Sequence, residues 1–183
     1  MVPTPPTRFA RSPDRRSANH CISADDRVGA ANRRLNGIGS FALFRNIDEA
    51  VVLAAIEDCE VQELLPGTPL LKPGAMNDNV FLVLSGELGA FVGDNLSAGP
   101  AVTIVQGETV GELSAIDGQP VSALVMALTA ARVLRLPQNV FFQRLSVIPE
   151  LARNLLSILA ARMRRSNLVM LEAQRRQLEL LVE

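Results

Sequence analysis

Val110-Gly111-Glu112-Leu113-Ser114-Ala115-Ile116-Asp117-Gly118-Gln119-Pro120-Val121-Ser122-Ala123 is the stretch on which the reading of this chain turns. It leaves an apolar strand for a short helical turn, then returns through Gly118 and Pro120 to a second strand over Leu124 to Ala127. Two glycines let the backbone approach a neighbour closely, and the free N–H groups opening a short helix suit an anion or a sugar. A ligand is expected here.

Upstream, apolar runs alternate with turn signals. Val61 to Leu65 precedes Pro66-Gly67, Leu70-Leu71 precedes Pro73-Gly74, and the fully apolar Val80 to Leu84 precedes Ser85-Gly86. Leu88 to Val92 and Ala101 to Val105 follow around a hairpin loop from Gly93 to Pro100. Short strands with a glycine turn every eight to twelve residues indicate an all-β sandwich or barrel. Before them, Phe41, Leu43, Phe44 and Ile47 form an apolar knot, and a helix capped near Asp48 runs through Val51, Val52, Ala55 and Ile56.

The quoted stretch resembles the phosphate-binding cassette of cyclic-nucleotide-binding domains, in which a Gly-Glu-Leu run holds the ribose and a later Arg-Ser/Thr-Ala run holds the cyclic phosphate. Here the second run reads Val121-Ser122-Ala123, without the arginine. The resemblance extends over about residues 41–165. Leu70-Leu71, Gly74, Val80 to Val83 and Gly86 follow one family signature, and Val110 to Ala127 follows a second, with Ala115 and Val121 out of pattern. Leu43-Phe44-Arg45-Asn46-Ile47 and Phe141-Phe142-Gln143-Arg144-Leu145 through Pro149-Glu150-Leu151 also resemble the family. The resemblance implies a mainly β fold with flanking helices, a jelly-roll-like β-roll of eight strands followed by a long C-terminal helix. It also implies a ligand site at Gly111, Glu112, Leu113, Ser114, Ser122 and Ala123, with a cyclic nucleotide as the possible ligand. Glu112 either accepts a ribose hydroxyl or caps its own turn, and Ser122 is either a phosphate donor or a turn hydroxyl.

Charge bears on that site. Between Lys72 and Arg132 there is no Lys or Arg, so the cassette has no cation nearby in sequence, although Arg132 or Arg135 can reach in from a neighbouring strand. A buried anion that loses its partner is destabilised by roughly 3–5 kcal/mol, so weak or altered nucleotide binding is expected. Seven arginines stand against three acids over residues 1–37, five basic residues against thirteen acids over 38–150, and six against three over 151–183. The acidic body is not expected to bind nucleic acid. Residues 1–37, rich in Pro and Arg without apolar period, read as a disordered tail; 38–148 read as the β-roll unit and 149–183 as the long helix.

No constellation for catalysis or a metal appears. The single histidine, His20, lies beside Cys21 in the tail, and Cys59 lies in an apolar stretch, so no disulfide framework exists and a cytoplasmic, reducing setting is expected. No run of eighteen apolar residues occurs, so no membrane span is expected.

The C-terminal helix opens at Pro149-Glu150, a helix-start signal. Leu151, Leu155, Leu159 and Met163 step by four and face the roll or a twin helix. Beyond Asn167, Leu168, Leu171, Arg175, Leu178 and Val182 give a two-heptad seam, too short to be stable without a partner held nearby or more chain. The expected function is a non-enzymatic regulatory module that dimerises through Leu155, Leu159, Met163, Leu168, Leu171 and Leu178. Ala161 to Asn167 and the seam resemble linkers to bacterial diguanylate cyclase domains, so such an output domain is the expected partner. The alternatives are a working cyclic AMP or cyclic GMP receptor, a DNA-binding regulator of the catabolite activator type without its helix-turn-helix, and a structural dimerisation domain with an inactive pocket.

Overall fold

The computed structural model describes residue 35, residues 37–93 and residues 96–180. The expected tail over 1–37 falls almost wholly outside the described residues, as do the His20-Cys21 pair and Val182. Leu35 and Ile38 are buried in the core, so packing begins within the stretch read as the tail.

The fold is a β-roll of antiparallel strands followed by a long helix. Its strands are β1 (Glu60–Leu64), β2 (Pro69–Leu71), β3 (Asn79–Ser85), β4 (Leu88–Phe91), β5 (Val102–Ile104), β6 (Thr109–Val110), β7 (Leu124–Ala127) and β8 (Ala131–Pro137). They form two four-stranded sheets, β1-β8-β3-β6 and β2-β7-β4-β5. The helices are α1 (Glu49–Ala55), α2 (Glu112–Asp117), α3 (Gln138–Val140), which continues as a π-helical turn over Phe141–Leu145, and α4 (Pro149–Leu180).

β3 explains why one stretch of sequence is apolar at every position. Side chains alternate faces along a strand. Val80, Leu82 and Leu84 enter a core shared with the helices, while Phe81 and Val83 enter a second core between the two sheets. A strand covered on both faces has no solvent side to mark with polar residues. β8 alternates in the same way, with Leu134 and Leu136 toward the helices and Val133 between the sheets.

Asp48 caps α1, its Oδ1 accepting from the Ala50 N–H at 2.8 Å, and Val52 and Ile56 enter the helix-side core. α4 is tied to the N-terminal knot by Asn154, whose Nδ2 donates to the carbonyls of Leu43 at 3.0 Å and Arg45 at 2.8 Å. Leu151 and Leu155 are buried in the helix-side core with Leu43 and Phe44 of the knot and Phe141 and Leu145 of the π-helical turn, and Ile158 and Leu159 pack at its edge. Leu155 and Leu159, expected on a dimer seam, therefore serve the core of their own roll.

The four-residue stripe does not run straight down α4. A step of four residues overshoots a full turn by about 40°, so three steps rotate a side chain about 120° off the starting line. Met163 is accordingly 63% exposed. The line from Leu151 and Leu155 continues instead through Ile158 to Arg162. From Met163 to Arg176 the described side chains are exposed, Leu168 and Leu171 among them, and the Leu178 side chain lies outside the described residues. Among the described residues no helix is long and apolar enough to cross a membrane.

Candidate functional site

The cassette is built around Gly111. Its φ is +84°, in the left-handed region, and a Cβ there would meet the Asn79 carbonyl oxygen at 2.8 Å and Asn77 Nδ2 at 3.0 Å. Both conformation and space require glycine. Asn77 is the peg that this close approach serves. Its Nδ2 lies 2.7 Å from the Asn79 carbonyl, 3.1 Å from the Gly111 carbonyl and 3.0 Å from Ser114 Oγ. Gln138 Nε2 donates to the Ala115 carbonyl at 2.7 Å, so α2 is held from the β3 side and from α3 together. Gly118 ends α2 with φ +68°, and Asp117 accepts from the Gln119 N–H at 2.9 Å as a turn residue.

The expected ligand residues separate into two groups. Gly111, Glu112 and Ser114 are brought together at the start of α2, with Glu112 and Ser114 buried. Ser114 Oγ already donates to the Gly111 carbonyl at 3.2 Å and accepts from Asn77. Leu113 points outward and is 58% exposed. Ser122 is exposed and Ala123 half-buried, just before β7.

Glu112 does not cap its own turn. Its carboxylate is buried, and Oε1 accepts from Arg162 Nη1 of α4, fifty residues away in sequence. Arg162 Nη2 donates to the Thr109 carbonyl at the start of β6. Two neighbouring polar atoms, Glu112 Oε2 and Thr109 Oγ1, are buried without a protein partner. The arrangement joins the Glu112 carboxylate and the start of β6 to the long helix by a charged, two-pronged contact. Arg162 was not singled out as a site residue in the sequence; its one signal is that it continues the line of Leu151, Leu155 and Ile158 at the point where that line becomes charged.

Beside the cassette, a cavity of about 400 Å³ opens between β1, β2, β3 and β8. Val121 forms part of its wall and is itself buried in the core between the sheets. Lys72 and Arg135 also line it. Arg135 Nε donates to Asn79 Oδ1 at 2.8 Å, so this arginine does reach the site from its strand, and the amide orients it. Sequence reasoning left Arg132 and Arg135 equivalent. The alternation along β8 separates them, because Arg135 shares the inward row with Val133.

Among the described residues no group of three His, Cys, Asp or Glu side chains converges as a metal site. Burial pushes the Cys59 thiol up to about 11, with the Arg144 charge opposing the rise and the Asp58 charge adding to it. That is the opposite of the shift that activates a nucleophilic cysteine.

Residues 61–146 match the family model described as the cyclic nucleotide-binding domain. A cAMP-dependent protein kinase regulatory subunit of Aspergillus fumigatus is 33% identical over 87 residues, which cover 48% of this chain and 21% of that protein. The chain spans between about a fifth and a third of the length of the curated relatives it matches. Among solved structures, the catabolite activator protein of Thermus thermophilus superposes with a TM-score of 0.61 at 25% identity, covering 70% of this chain and 61% of that one. A cyclic nucleotide-binding domain from Methylobacillus flagellatus gives a TM-score of 0.61 at 26% identity, covering 76% and 81%.

Proposed function

We propose that this chain, whose residues 61–146 match the cyclic nucleotide-binding domain model, is a non-enzymatic regulatory module in which the roll, 38–148, senses a ligand and α4 carries the response to a partner. The observation that carries the reading is the Arg162–Glu112 pair, through which a change at the cassette is felt directly by the helix. A ligand shifts α4 only to the extent that it binds one packing of the helix better than another. Hydrogen exchange along α4, with and without cyclic AMP, cyclic GMP or cyclic di-GMP, tests this. Altered protection around Arg162 supports the reading, and unchanged protection under a ligand shown to bind rejects it.

Cyclic mononucleotides are expected to bind weakly, because Val121 puts a buried methyl group where the resemblance calls for a guanidinium. Val121→Arg is expected to tighten cyclic AMP binding by roughly ten- to a hundredfold, the worth of one added charge-assisted contact. Calorimetric titration of both proteins checks this. Micromolar or tighter binding by the wild type would instead favour a working cyclic AMP or cyclic GMP receptor.

The module is proposed to act in the cytoplasm as a homodimer joined along α4. Leu156, Met163 and Met170 recur every seven residues and are 67%, 63% and 62% exposed. A seven-residue apolar repeat is the pattern of a two-helix seam. Met163→Arg is expected to convert a dimer to a monomer in sedimentation equilibrium. A wild-type monomer at tens of micromolar chain would remove the dimer from the proposal. An output unit at the far end of α4, of the diguanylate cyclase kind, rests on the linker resemblance alone.

A further inference from the structure

We propose that the cavity beside Val121 is an anion site in its own right, in which Arg135 and Lys72 hold the oxyanion of a small ligand whose flat apolar part lies on Leu71, Phe81 and Val121. The proposal rests on the reading of the roll as a ligand sensor, and it says what kind of ligand the roll takes and which way round.

The charge distribution points there first. Residues 38–150 hold only five basic side chains against thirteen acids, yet two of the five line one cavity whose wall includes no carboxylate. Arg144, by contrast, pairs with Asp58 at 3.0 Å. Among the described residues neither Lys72 nor Arg135 enters an ion pair; Glu60 stands opposite Arg135 in the β1–β8 register without forming one. Two exposed cations without an ion pair on one concave wall create a positive potential in an otherwise acidic body.

The geometry then fits an oxyanion. Asp78 Oδ1 accepts from Asn79 Nδ2 at 2.5 Å, and the same amide's Oδ1 accepts from Arg135 Nε at 2.8 Å. The guanidinium is thus aimed by a neutral group, and its two terminal nitrogens remain for end-on, bidentate contact with a phosphate or carboxylate. Gln62, from β1, offers an amide on the same wall. Leu71, Phe81 and Val121 supply an apolar floor, and a cavity of about 400 Å³ suits a small molecule. The cation missing from position 121 is therefore supplied from the facing sheet, which turns the anionic end of the ligand away from Ser122 and Ala123 and toward β8.

Calorimetric titration of the full chain with inorganic phosphate, cyclic AMP and adenosine tests the inference, using Arg135→Gln, Arg135→Lys, Lys72→Gln and the control Arg132→Gln. Arg135 is exposed, so these variants are expected to fold, with thermal melts as the check. Phosphate and cyclic AMP are expected to bind the wild type measurably but more weakly than micromolar. Arg135→Gln should weaken cyclic AMP by at least about tenfold, roughly one charge-assisted contact. Lys72→Gln should weaken it severalfold and Arg135→Lys should fall between, while Arg132→Gln should change nothing. Adenosine, which is uncharged, should respond to none of them. The inference is overturned if no anion binds, or if cyclic AMP binds Arg135→Gln as it binds the wild type. If binding depends on Arg135 but α4 exchange does not respond, the regulatory reading fails and the anion site stands. If α4 responds to ligand equally in Arg135→Gln, the anion site fails and the regulatory reading stands.

Discussion

Arg162→Ala is expected to lower the stability of the domain by about 3 kcal/mol, the lower end of the range for breaking a buried ion pair. The loss is large because the two partners differ in exposure. The Glu112 side chain is 4% exposed, whereas that of Arg162 is 33% exposed. Removing the cation leaves a buried carboxylate beside Thr109 Oγ1, which has no protein partner of its own. Removing both charges together, in Glu112→Gln with Arg162→Met, is expected to recover more than half of the loss, because no uncompensated charge then remains. Urea denaturation of the wild type, the single variant and the double variant measures this. A loss below about 0.5 kcal/mol for Arg162→Ala would class the pair with ordinary surface salt bridges and remove its role in coupling cassette to helix.

Gly86→Ala is expected to be at least as damaging, by about 3 kcal/mol or more, from two separable causes. Gly86 has φ +79°, where an L-residue is strained by roughly 1–2 kcal/mol. In addition, a Cβ there would lie 2.4 Å from the Ala130 carbonyl oxygen and 2.7 Å from Ala131 Cα. Both are backbone atoms at the start of β8, which cannot rotate away, and overpacking of this sort adds roughly 1–3 kcal/mol. Gly67→Ala separates the causes. Its φ is +81°, but nothing lies within 4 Å of the added carbon, so only the conformational part is expected. Thermal melts that fall equally for the two variants would show that the β3–β8 contact gives way, against the steric account.

The fold was legible because its signals are local and repeated. Gly67, Gly74, Gly86, Gly107 and Gly111 all have positive φ, and each marks a turn that the spacing of strands already announced. Leu124–Ala127 was read to the residue because Pro120 and Gly118 bound it on one side. The site was legible only in part, since a ligand cavity is assembled across strands. Gly111, Glu112 and Ser114 are neighbours in sequence and were found together. Asn77, Lys72 and Arg135 meet at the site from separate segments, and their partnership depends on a register that composition does not encode. The stripe on α4 divides at its end between the roll and the outer face for a different reason. Counting in fours accumulates a drift that, by Arg162, decides which side chain faces the roll and which faces outward.

β3 carries a last implication. Phe81 belongs to the cavity wall, while its neighbours Val80 and Leu82 face the helices. A residue exchanged on the helical side therefore moves the backbone that the cavity shares, and interiors as dense as this transmit such displacements rather than absorb them. The shape of the cavity is therefore adjustable from behind, by substitutions at positions that do not line it.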